Sequence, residues 1–296
     1  MGLNTLAAGK ARFVLVVGVE KMTDTSTARV GEILLGASYH REEAGIKGGF
    51  AGVFGQLAQA YFQKYGDKSE SLARIAAKNH ANGVANPYAQ MRKDFGFEFC
   101  NTVSDKNPYV APPLRRTDCS LVSDGAAALV LSDTQTALAG RQAIAFRAAR
   151  HVNDFLPLSR RSKTEFKGAA MAWQHALDDA KLGLDDLSLV ETHDCFTFAE
   201  LLEYEAMGLT EAGQGHRAID EGWTTKGGRL PVNPSGGLKS KGHPIGATGV
   251  SQHVLAAMQL TNTAGDMQIP GARLAGVFNM GGSSVANYVS ILERLR

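Results

Sequence analysis

The chain has 296 residues, which is enough for one large domain or two smaller ones around a sizeable core. Hydrophobic residues make up 44% and charged residues 20%, and 31 basic residues nearly balance 29 acidic ones, so the composition predicts neither a nucleic-acid nor a membrane-surface partner. Three widely spaced cysteines argue against a disulfide framework and favour a reducing, cytoplasmic compartment, and no apolar run approaches the ~18 residues of a membrane span.

Short apolar, β-rich runs recur along the chain and predict strands. They cover residues 13–19, 126–131, 143–148, 187–192, 274–279 and 285–292. Because continuous apolar runs suit strands that are covered on both faces, they favour an α/β sheet. We interpret the first run as a buried strand rather than as part of a signal peptide, because its charges come late and Glu20 and Lys21 follow at once.

Segments with helical period lie between these strands. They cover residues 54–65, 69–79, 168–182, 198–207 and 246–260. Gly183 is expected to stop the helix at 168–182 in the left-handed conformation, Gly208 is expected to end the helix at 198–207, and Thr248 is a candidate cap of the last one. The alternation predicts a layered α/β fold, whereas residues 23–118 show helical patterns without a convincing strand and predict an inserted helical subdomain.

The stretch "VETHDCFTFAE", residues 190–200, places His193, Asp194 and Cys195 in a strand-to-helix turn. Ligands of open α/β sheets collect at the carboxyl ends of strands, and the nearby helix N-terminus is expected to lower the pKa of Cys195. Taken alone, the same residues also fit a cysteine packed as a small hydrophobe beside a histidine bonded to a carbonyl. No second ligand pair with metal spacing accompanies them, so no metal site is predicted.

Two Gly-rich stretches follow. "NPSGGLKSKGHPIGATG", residues 233–249, places His243 in a flexible loop before a helix, where the backbone can pass close to a ligand. Phosphate binding is a weak alternative, because His243 stands where a P-loop needs Lys. "FNMGGSSVANY", residues 278–288, predicts two strands joined by a Gly-Gly-Ser-Ser turn, which alone indicates only a hairpin.

In their order and spacing, the three stretches resemble the thiolase superfamily, and most closely the sterol-carrier-protein-2-type (SCP2-type) thiolases. The shared fingerprints are "HDCF", "NPSGG…GHPIGATG" and "NMGG", and residues 14–24 and 113–133 are similar to strands of the family's N-terminal half. The resemblance runs from about Ala7 to Arg296. It implies a layered αβαβα fold with an incomplete N-terminal half at 1–135, containing the helical insertion at about 23–118, and a C-terminal half at 136–296.

The resemblance also implies an activity, which is acyl transfer between thiols on coenzyme A, as in an acetyl-CoA acyltransferase or acetoacetyl-CoA thiolase. His243 would activate the nucleophile and help to hold an oxyanion, His193 would orient water or an oxygen, and Cys195 would be the acid/base. Support of the oxygens is implied for Asn279, Gly281 and Gly282, and CoA binding for Ser235, Gly236 and Gly237. Acyl-CoA and CoA would be substrates, with no tightly bound cofactor.

One part of the family pattern is not found. The nucleophilic Cys of the family precedes the strand at 13–19, and this chain has no Cys before Cys100. We therefore expect weak or no turnover by the chain as it stands. Three explanations remain: the sequence is a fragment or begins at a late start codon, another polypeptide supplies the segment, or the chain binds acyl-CoA or a partner without turnover.

The family also suggests partners. A homodimer or homotetramer is expected, and a small OB-fold protein is a further candidate partner. The alternative function is therefore a non-catalytic subunit of a hetero-complex. A thiolase-like aldolase is a closer rival, although the presence of both His193 and His243 favours acyl transfer. Acyl-chain specificity and the direction of the reaction stay open.

Overall fold

The computed structural model of the protein describes residues 1–296. Its strands are β1 (Phe13–Glu20), β2 (Tyr109–Ala111), β3 (Leu114–Arg115), β4 (Gly125–Ser132), β5 (Ile144–Asn153), β6 (Leu189–Glu191), β7 (Leu274–Gly281) and β8 (Ala286–Arg294). Its helices are α1 (Gly2–Ala7), α2 (Thr27–Leu34), α3 (His40–Glu43), α4 (Phe50–Tyr65), α5 (Ser69–Val84), α6 (Gly96–Asn101), α7 (Thr134–Ala139), α8 (Lys167–Ala180), α9 (Thr197–Ala206), α10 (Gly215–Asp220), α11 (Gly237–Ser240) and α12 (Ile245–Leu260). Each of the six apolar runs forms a strand.

The strands form two main sheets and one small pair. β1 and β4 make an antiparallel ribbon, and the second sheet has the order β5-β8-β7-β6, in which only β6 and β7 are parallel. β7 and β8 form the expected hairpin around the Gly-Gly-Ser-Ser turn. β2 pairs with β3 inside the region expected to lack strands. That expectation is wrong, because strands of two and three residues leave no periodic signal.

The helices bury the stripes that their sequences predict. In α8 the small side chains and Trp173 are buried, and the helix packs against β5 and β8. Trp173 lies over Gly276, where an added Cβ would be 2.7 Å from the indole ring. The C-cap of α8 is Lys181, whose φ of +56° is left-handed, so the prediction of a left-handed stop at Gly183 is wrong. α9 ends at Ala206, close to the predicted stop at Gly208, whose φ is +82°.

The ribbon of β1 and β4 has one apolar face in solvent. Phe13, Leu15, Val17 and Val19 of β1 are all more than half exposed. The opposite face contacts α1 and α12. The prediction of a strand covered on both faces is therefore wrong for β1, because an apolar composition does not show which faces the fold covers.

Helix α12 lies between the ribbon and the four-stranded sheet, and contacts strands of both. Its first turn comes very close to β1, because an added Cβ at Gly18 would lie 2.6 Å from the carbonyl oxygen of Gly246. Only glycine permits this approach. The approach fixes the start of α12, and with it the loop that carries His243.

The region 23–118 is mainly helical, as expected, and contains α2 to α6. Helix α5 packs against α9, α10 and α11, so the region contacts the helix that follows the "HDCF" turn and the short helix inside the Gly-rich stretch 233–249. The boundaries of the two halves, 1–135 and 136–296, and the status of 23–118 as a subdomain stay predictions.

Candidate active site

His193 and Asn279 meet at the ends of two neighbouring parallel strands. β6 pairs with β7 so that Glu191 is opposite Val277, and two residues further along each strand come His193 and Asn279. The register therefore brings the two side chains together, and the Nδ1 atom of His193 lies 2.6 Å from the Oδ1 atom of Asn279. This is the carboxyl edge of the sheet, where the sequence predicted the site.

The loop before α12 brings the second imidazole to the same place. The ring centroids of His243 and His193 are 4.9 Å apart, and the rings are nearly perpendicular in an edge-to-face arrangement. The backbone N–H of His243 donates to the Ser123 hydroxyl at 2.8 Å, and its Nδ1 atom lies 2.7 Å from the Thr248 hydroxyl. Two histidines from distant parts of the sequence thus form one pair.

Burial keeps both imidazoles neutral. It lowers the pKa of His193 to about 4, against the smaller opposing effect of the Asn279 hydrogen bond. It also lowers the pKa of His243 well below the ordinary value, and the neighbouring His193 and Lys241 add to this. At neutral pH each ring therefore has one protonated and one unprotonated nitrogen.

Thr248 does not cap α12, so that prediction is wrong. The N-cap is Pro244, and Thr248 lies in the first turn of the helix, where its hydroxyl donates to the Pro244 carbonyl at 3.0 Å. The same hydroxyl contacts His243. Thr248 therefore links the helix backbone to the imidazole.

Cys195 lies in the predicted turn, but its thiol makes no hydrogen bond with either imidazole. The residue is buried, its carbonyl accepts the Ser120 N–H at 2.9 Å, and Cys119 bridges to Phe196 beside it. Burial raises the pKa of the Cys195 thiol well above the ordinary value, and the Glu203 and Asp194 carboxylates add to this. The expected lowering of its pKa is wrong, because enclosure outweighs the nearby helix N-terminus. Its role as acid/base stays a prediction.

The C-terminal hairpin places the predicted backbone donors at the surface beside Asn279. Gly281 is exposed at the end of β7, and Gly282 has φ +65° in the turn. The N–H of Gly282 donates to no acceptor within the protein. Such a free donor fits the expected role of holding an oxygen, and this role stays a prediction.

The residues predicted to bind CoA are buried, and their contacts are internal. The Ser235 hydroxyl donates to Glu191 at 2.7 Å. Gly236 lies against the backbone of Gly83, since an added Cβ at Gly236 would be 2.6 Å from the Cα atom of Gly83. Gly237 lies beneath Asp194. These contacts fix the loop against β6 and α5, and a role in CoA binding stays a prediction.

Asp194 connects the two fingerprints. Its carboxylate accepts the backbone N–H groups of Leu238 at 2.6 Å and Lys239 at 3.1 Å, and the Asn79 side chain donates to it at 2.9 Å. Burial, followed by the Glu200 carboxylate, raises the pKa of Asp194 to about 7. The carboxylate holds the turn after β6 against the Gly-rich loop and thereby sets the distance between the imidazoles.

Sequence reasoning missed a buried polar cluster beneath the site. Lys78 of α5 donates to Glu200 of α9 at 2.5 Å and to the Val232 carbonyl at 2.9 Å, and the side chains of Asn79 and Asn233 donate to the other oxygen of Glu200. The available signal was Glu200 itself, a carboxylate within the apolar stripe of its helix. A buried charge of this kind needs a partner.

Two cavities of the molecule lie beside this site. One of about 610 Å³ lies between β4, β5 and α12, with His253 on its wall. Another, of about 290 Å³, is lined by Lys241 and Pro244 next to the His243 loop. No group of three or more His, Cys, Asp or Glu side chains is arranged to hold a metal ion, and no helix is both long and apolar enough to span a membrane.

Two family models and several curated proteins match the chain. The family model described as "Thiolase, N-terminal domain" matches residues 1–98, and that described as "Thiolase C-terminal domain-like" matches residues 151–294. The chain is 36% identical to an acetyl-CoA acetyltransferase of Methanothermobacter thermautotrophicus over 99% of its own length and 76% of that protein. It is also 36% identical to sterol carrier protein 2 of Oryctolagus cuniculus, over 95% of its length. The chain spans only 53% of the length of that mammalian relative.

Solved structures share the fold. A structure described as "Ltp2-ChsH2(DUF35) aldolase" gives a TM-score of 0.83 at 21% identity, over 99% of this chain and 75% of that one. A monomeric SCP2-thiolase-like protein of Mycobacterium smegmatis gives a TM-score of 0.74 at 20% identity, over 98% of this chain and 58% of that one. Fold and fingerprints together define a thiolase-like α/β protein. The chain belongs to the thiolase superfamily and, within it, to the SCP2-type thiolases.

Proposed function

We propose that the chain acts in thiolase-type acyl transfer on acyl-CoA, with His193, His243 and Asn279 at the centre of its site. The observation that carries the proposal is the pair of neutral imidazoles, 4.9 Å apart, held at the carboxyl edge of β6 and β7. Acyl transfer needs a base for a thiol and polar groups for the developing oxyanion. CoA and its thioesters would be substrates rather than tightly bound cofactors.

Each residue has a role in the proposed reaction. His243 takes the proton of the attacking thiol, and His193 holds water or an oxygen with Asn279 beside it. Cys195 exchanges a proton with the α-carbon of the acyl group. Since burial raises its pKa, its thiol is protonated at rest and is ready to protonate the carbanion that leaves during cleavage.

The chain is expected to be a weak catalyst by itself. A nucleophilic cysteine needs a lowered pKa, and burial raises the pKa of Cys100 to about 11, that of Cys119 to about 12 and that of Cys195 as well. None of the three is therefore suited to attack a thioester. We infer that the nucleophile of the family's reaction has to be supplied from outside the 296 residues.

Thiolysis of acetoacetyl-CoA by free CoA tests the proposal. We expect little turnover by the chain alone, and activity when it is extended upstream by a family segment that carries the nucleophilic Cys. In the extended protein, His243→Ala should lower the rate by about 10² to 10⁴-fold, whereas His175→Ala, which removes an exposed histidine on α8, should not. Robust turnover by the chain alone, or an unchanged rate in His243→Ala, would contradict the proposal.

A second candidate is a non-catalytic subunit of a hetero-complex, for instance with a small OB-fold protein. The exposed apolar face of β1 favours it, because such a face invites association. A solved structure of the same fold is described as a complex that includes a DUF35 protein. Light scattering of the purified chain tests this candidate: a stable monomer at high concentration would count against it.

A homodimer or homotetramer and a cytoplasmic location also belong to the proposal. They are supported only by the family resemblance and by the composition of the chain. Acyl-chain specificity and the direction of the reaction stay open.

A further inference from the structure

We propose that Thr248 and Asn279 are positioning residues that hold His243 and His193 as the tautomer protonated on Nδ1, so that both Nε2 atoms act as hydrogen-bond acceptors. The site would then recruit a ligand that carries a proton, such as a thiol or water, before it can hold an anion. The tautomers are argued from the hydrogen bonds alone. Their use in acyl transfer rests on the proposed function.

The Thr248 hydroxyl has a single hydrogen, and that hydrogen is already used. It donates to the Pro244 carbonyl at 3.0 Å, inside the first turn of α12. Nδ1 of His243 lies 2.7 Å from the same oxygen. With its hydrogen directed to the Pro244 carbonyl, the hydroxyl offers its lone pairs to the imidazole, and we infer that Nδ1 is the donor. Thr248 is completely buried, so water cannot take either place.

Asn279 fixes His193 in the same way. Its Oδ1 atom, which can only accept, lies 2.6 Å from Nδ1 of His193. Its Nδ2 atom faces Gly249, 3.0 Å from where an added Cβ would be. The amide oxygen is turned to the ring, and since it can only accept, we infer that Nδ1 of His193 donates to it.

The other nitrogen of each ring is left free. Neither Nε2 atom has a hydrogen-bond partner in the protein. Neither atom is fully enclosed by the protein, so both are open to solvent or a ligand. The lowered pKa of each imidazole keeps these nitrogens unprotonated at neutral pH. Two lone pairs in one place attract a donor and repel an anion.

This arrangement orders the first steps of the proposed reaction. When His243 takes the proton of a thiol, the S–H bond breaks, an Nε2–H bond forms, and a thiolate and an imidazolium result. The new N–H can then donate to the oxyanion that forms when the thiolate attacks a thioester carbonyl. The hydrogen bond to Thr248 remains throughout, because Nδ1 keeps its proton in both forms of the ring.

Nuclear magnetic resonance of protein labelled with ¹⁵N histidine tests the tautomers. Long-range ¹⁵N–¹H correlations at neutral pH distinguish a protonated Nδ1 from a protonated Nε2, and His193→Gln and His243→Gln variants assign the signals. We expect at least a tenfold excess of the Nδ1–H form for both rings. The exposed His175 provides an internal reference in the same spectrum. An Nε2–H form at either ring would overturn the proposal.

Two matched variants test the role of Thr248. Thr248→Val removes the hydroxyl but keeps the shape, and should give His243 a mixture of tautomers. Thr248→Ser restores the hydroxyl and should restore the single tautomer. A pure Nδ1–H form in Thr248→Val would also overturn the proposal. If Thr248→Val fails to fold, the wild-type and Thr248→Ser spectra still show whether Nδ1 of His243 carries the proton.

The outcome separates this proposal from the proposed function, because the spectra need no turnover. Nδ1–H tautomers in an extended protein without acyl transfer would leave the positioning role intact and remove the function. Acyl transfer by a protein whose His243 is protonated on Nε2 would support the proposed function and overturn the positioning role.

Discussion

At the scale of single residues, Gly237 shows how a missing side chain shapes the site. Its φ is +58°, and an added Cβ would lie 2.3 Å from an oxygen of Asp194. A side chain here would be strained and would displace the carboxylate that joins the turn after β6 to the Gly-rich loop. The fold therefore requires glycine at position 237 for a structural reason that does not depend on a ligand.

Gly237→Ala should consequently lower the free energy of unfolding by at least about 2 kcal/mol. Gly227→Ala is the matched control, because Gly227 has no positive φ and no atom within 4 Å of an added Cβ, so its effect should be small. Urea unfolding of both variants measures the difference. Equal stability of the two variants would show that the Asp194 contact does not constrain the loop.

The sequence indicated His193, His243 and Asn279, because each lies in a short fingerprint at the end of a strand or before a helix. It did not indicate the partners of the imidazoles or the pKa of Cys195. Thr248 looked like a cap, whereas its hydroxyl points back to Pro244 and His243. These features depend on tertiary contacts, which decide burial and hydrogen bonding and leave no local pattern.

At the scale of elements, the buried pair of Lys78 and Glu200 joins α5 to α9 beneath the site. Both side chains are almost completely buried, so neither can be solvated when its partner is lost. Removing one member of such a pair costs far more than the net contribution of the pair itself. The helical region 23–118 is thereby tied to the helix that follows the "HDCF" turn.

We expect Lys78→Met to lower the free energy of unfolding by about 3 to 5 kcal/mol, because it leaves the Glu200 carboxylate unpaired. The double variant Lys78→Met/Glu200→Gln should recover part of that loss. Arg29→Met, which breaks an exposed pair with Glu32, is the control and should cost less than about 1 kcal/mol. Chemical unfolding measures all three, and a double variant less stable than Lys78→Met would contradict this explanation.

The strands and helices were predictable from the sequence, whereas the faces of the strands that other elements cover were not. Apolar, β-rich runs predicted all six main strands, and helical periodicity predicted α4, α5, α8, α9 and α12. The short pair of β2 and β3 was missed, and β1 was expected to be covered on both faces. Local patterns report the preferred conformation of a segment, but only the assembled sheets show which face remains in solvent.

At the scale of the whole molecule, α12 lies between the two main sheets and brings His243 to the edge that carries His193 and Asn279. The two imidazoles and Asn279 thus come from separate segments and meet only in the folded protein. We propose that the thiolate form of Cys195, a minor species because burial raises the pKa of its thiol, takes a proton from the α-carbon of a bound acyl-CoA, while His193 orients a water towards the enolate oxygen. That step does not need the family's nucleophilic cysteine.

The most direct test is exchange of the acetyl protons of acetyl-CoA for deuterium, followed by ¹H NMR in D₂O. We expect the chain to accelerate exchange over buffer, and we expect Cys195→Ser and His193→Gln each to lower the acceleration by about 10² to 10⁴-fold. Cys100→Ala, at a buried thiol away from the site, should leave the acceleration unchanged. Exchange no faster than in buffer, or an equal rate in Cys195→Ser, would contradict the proposal.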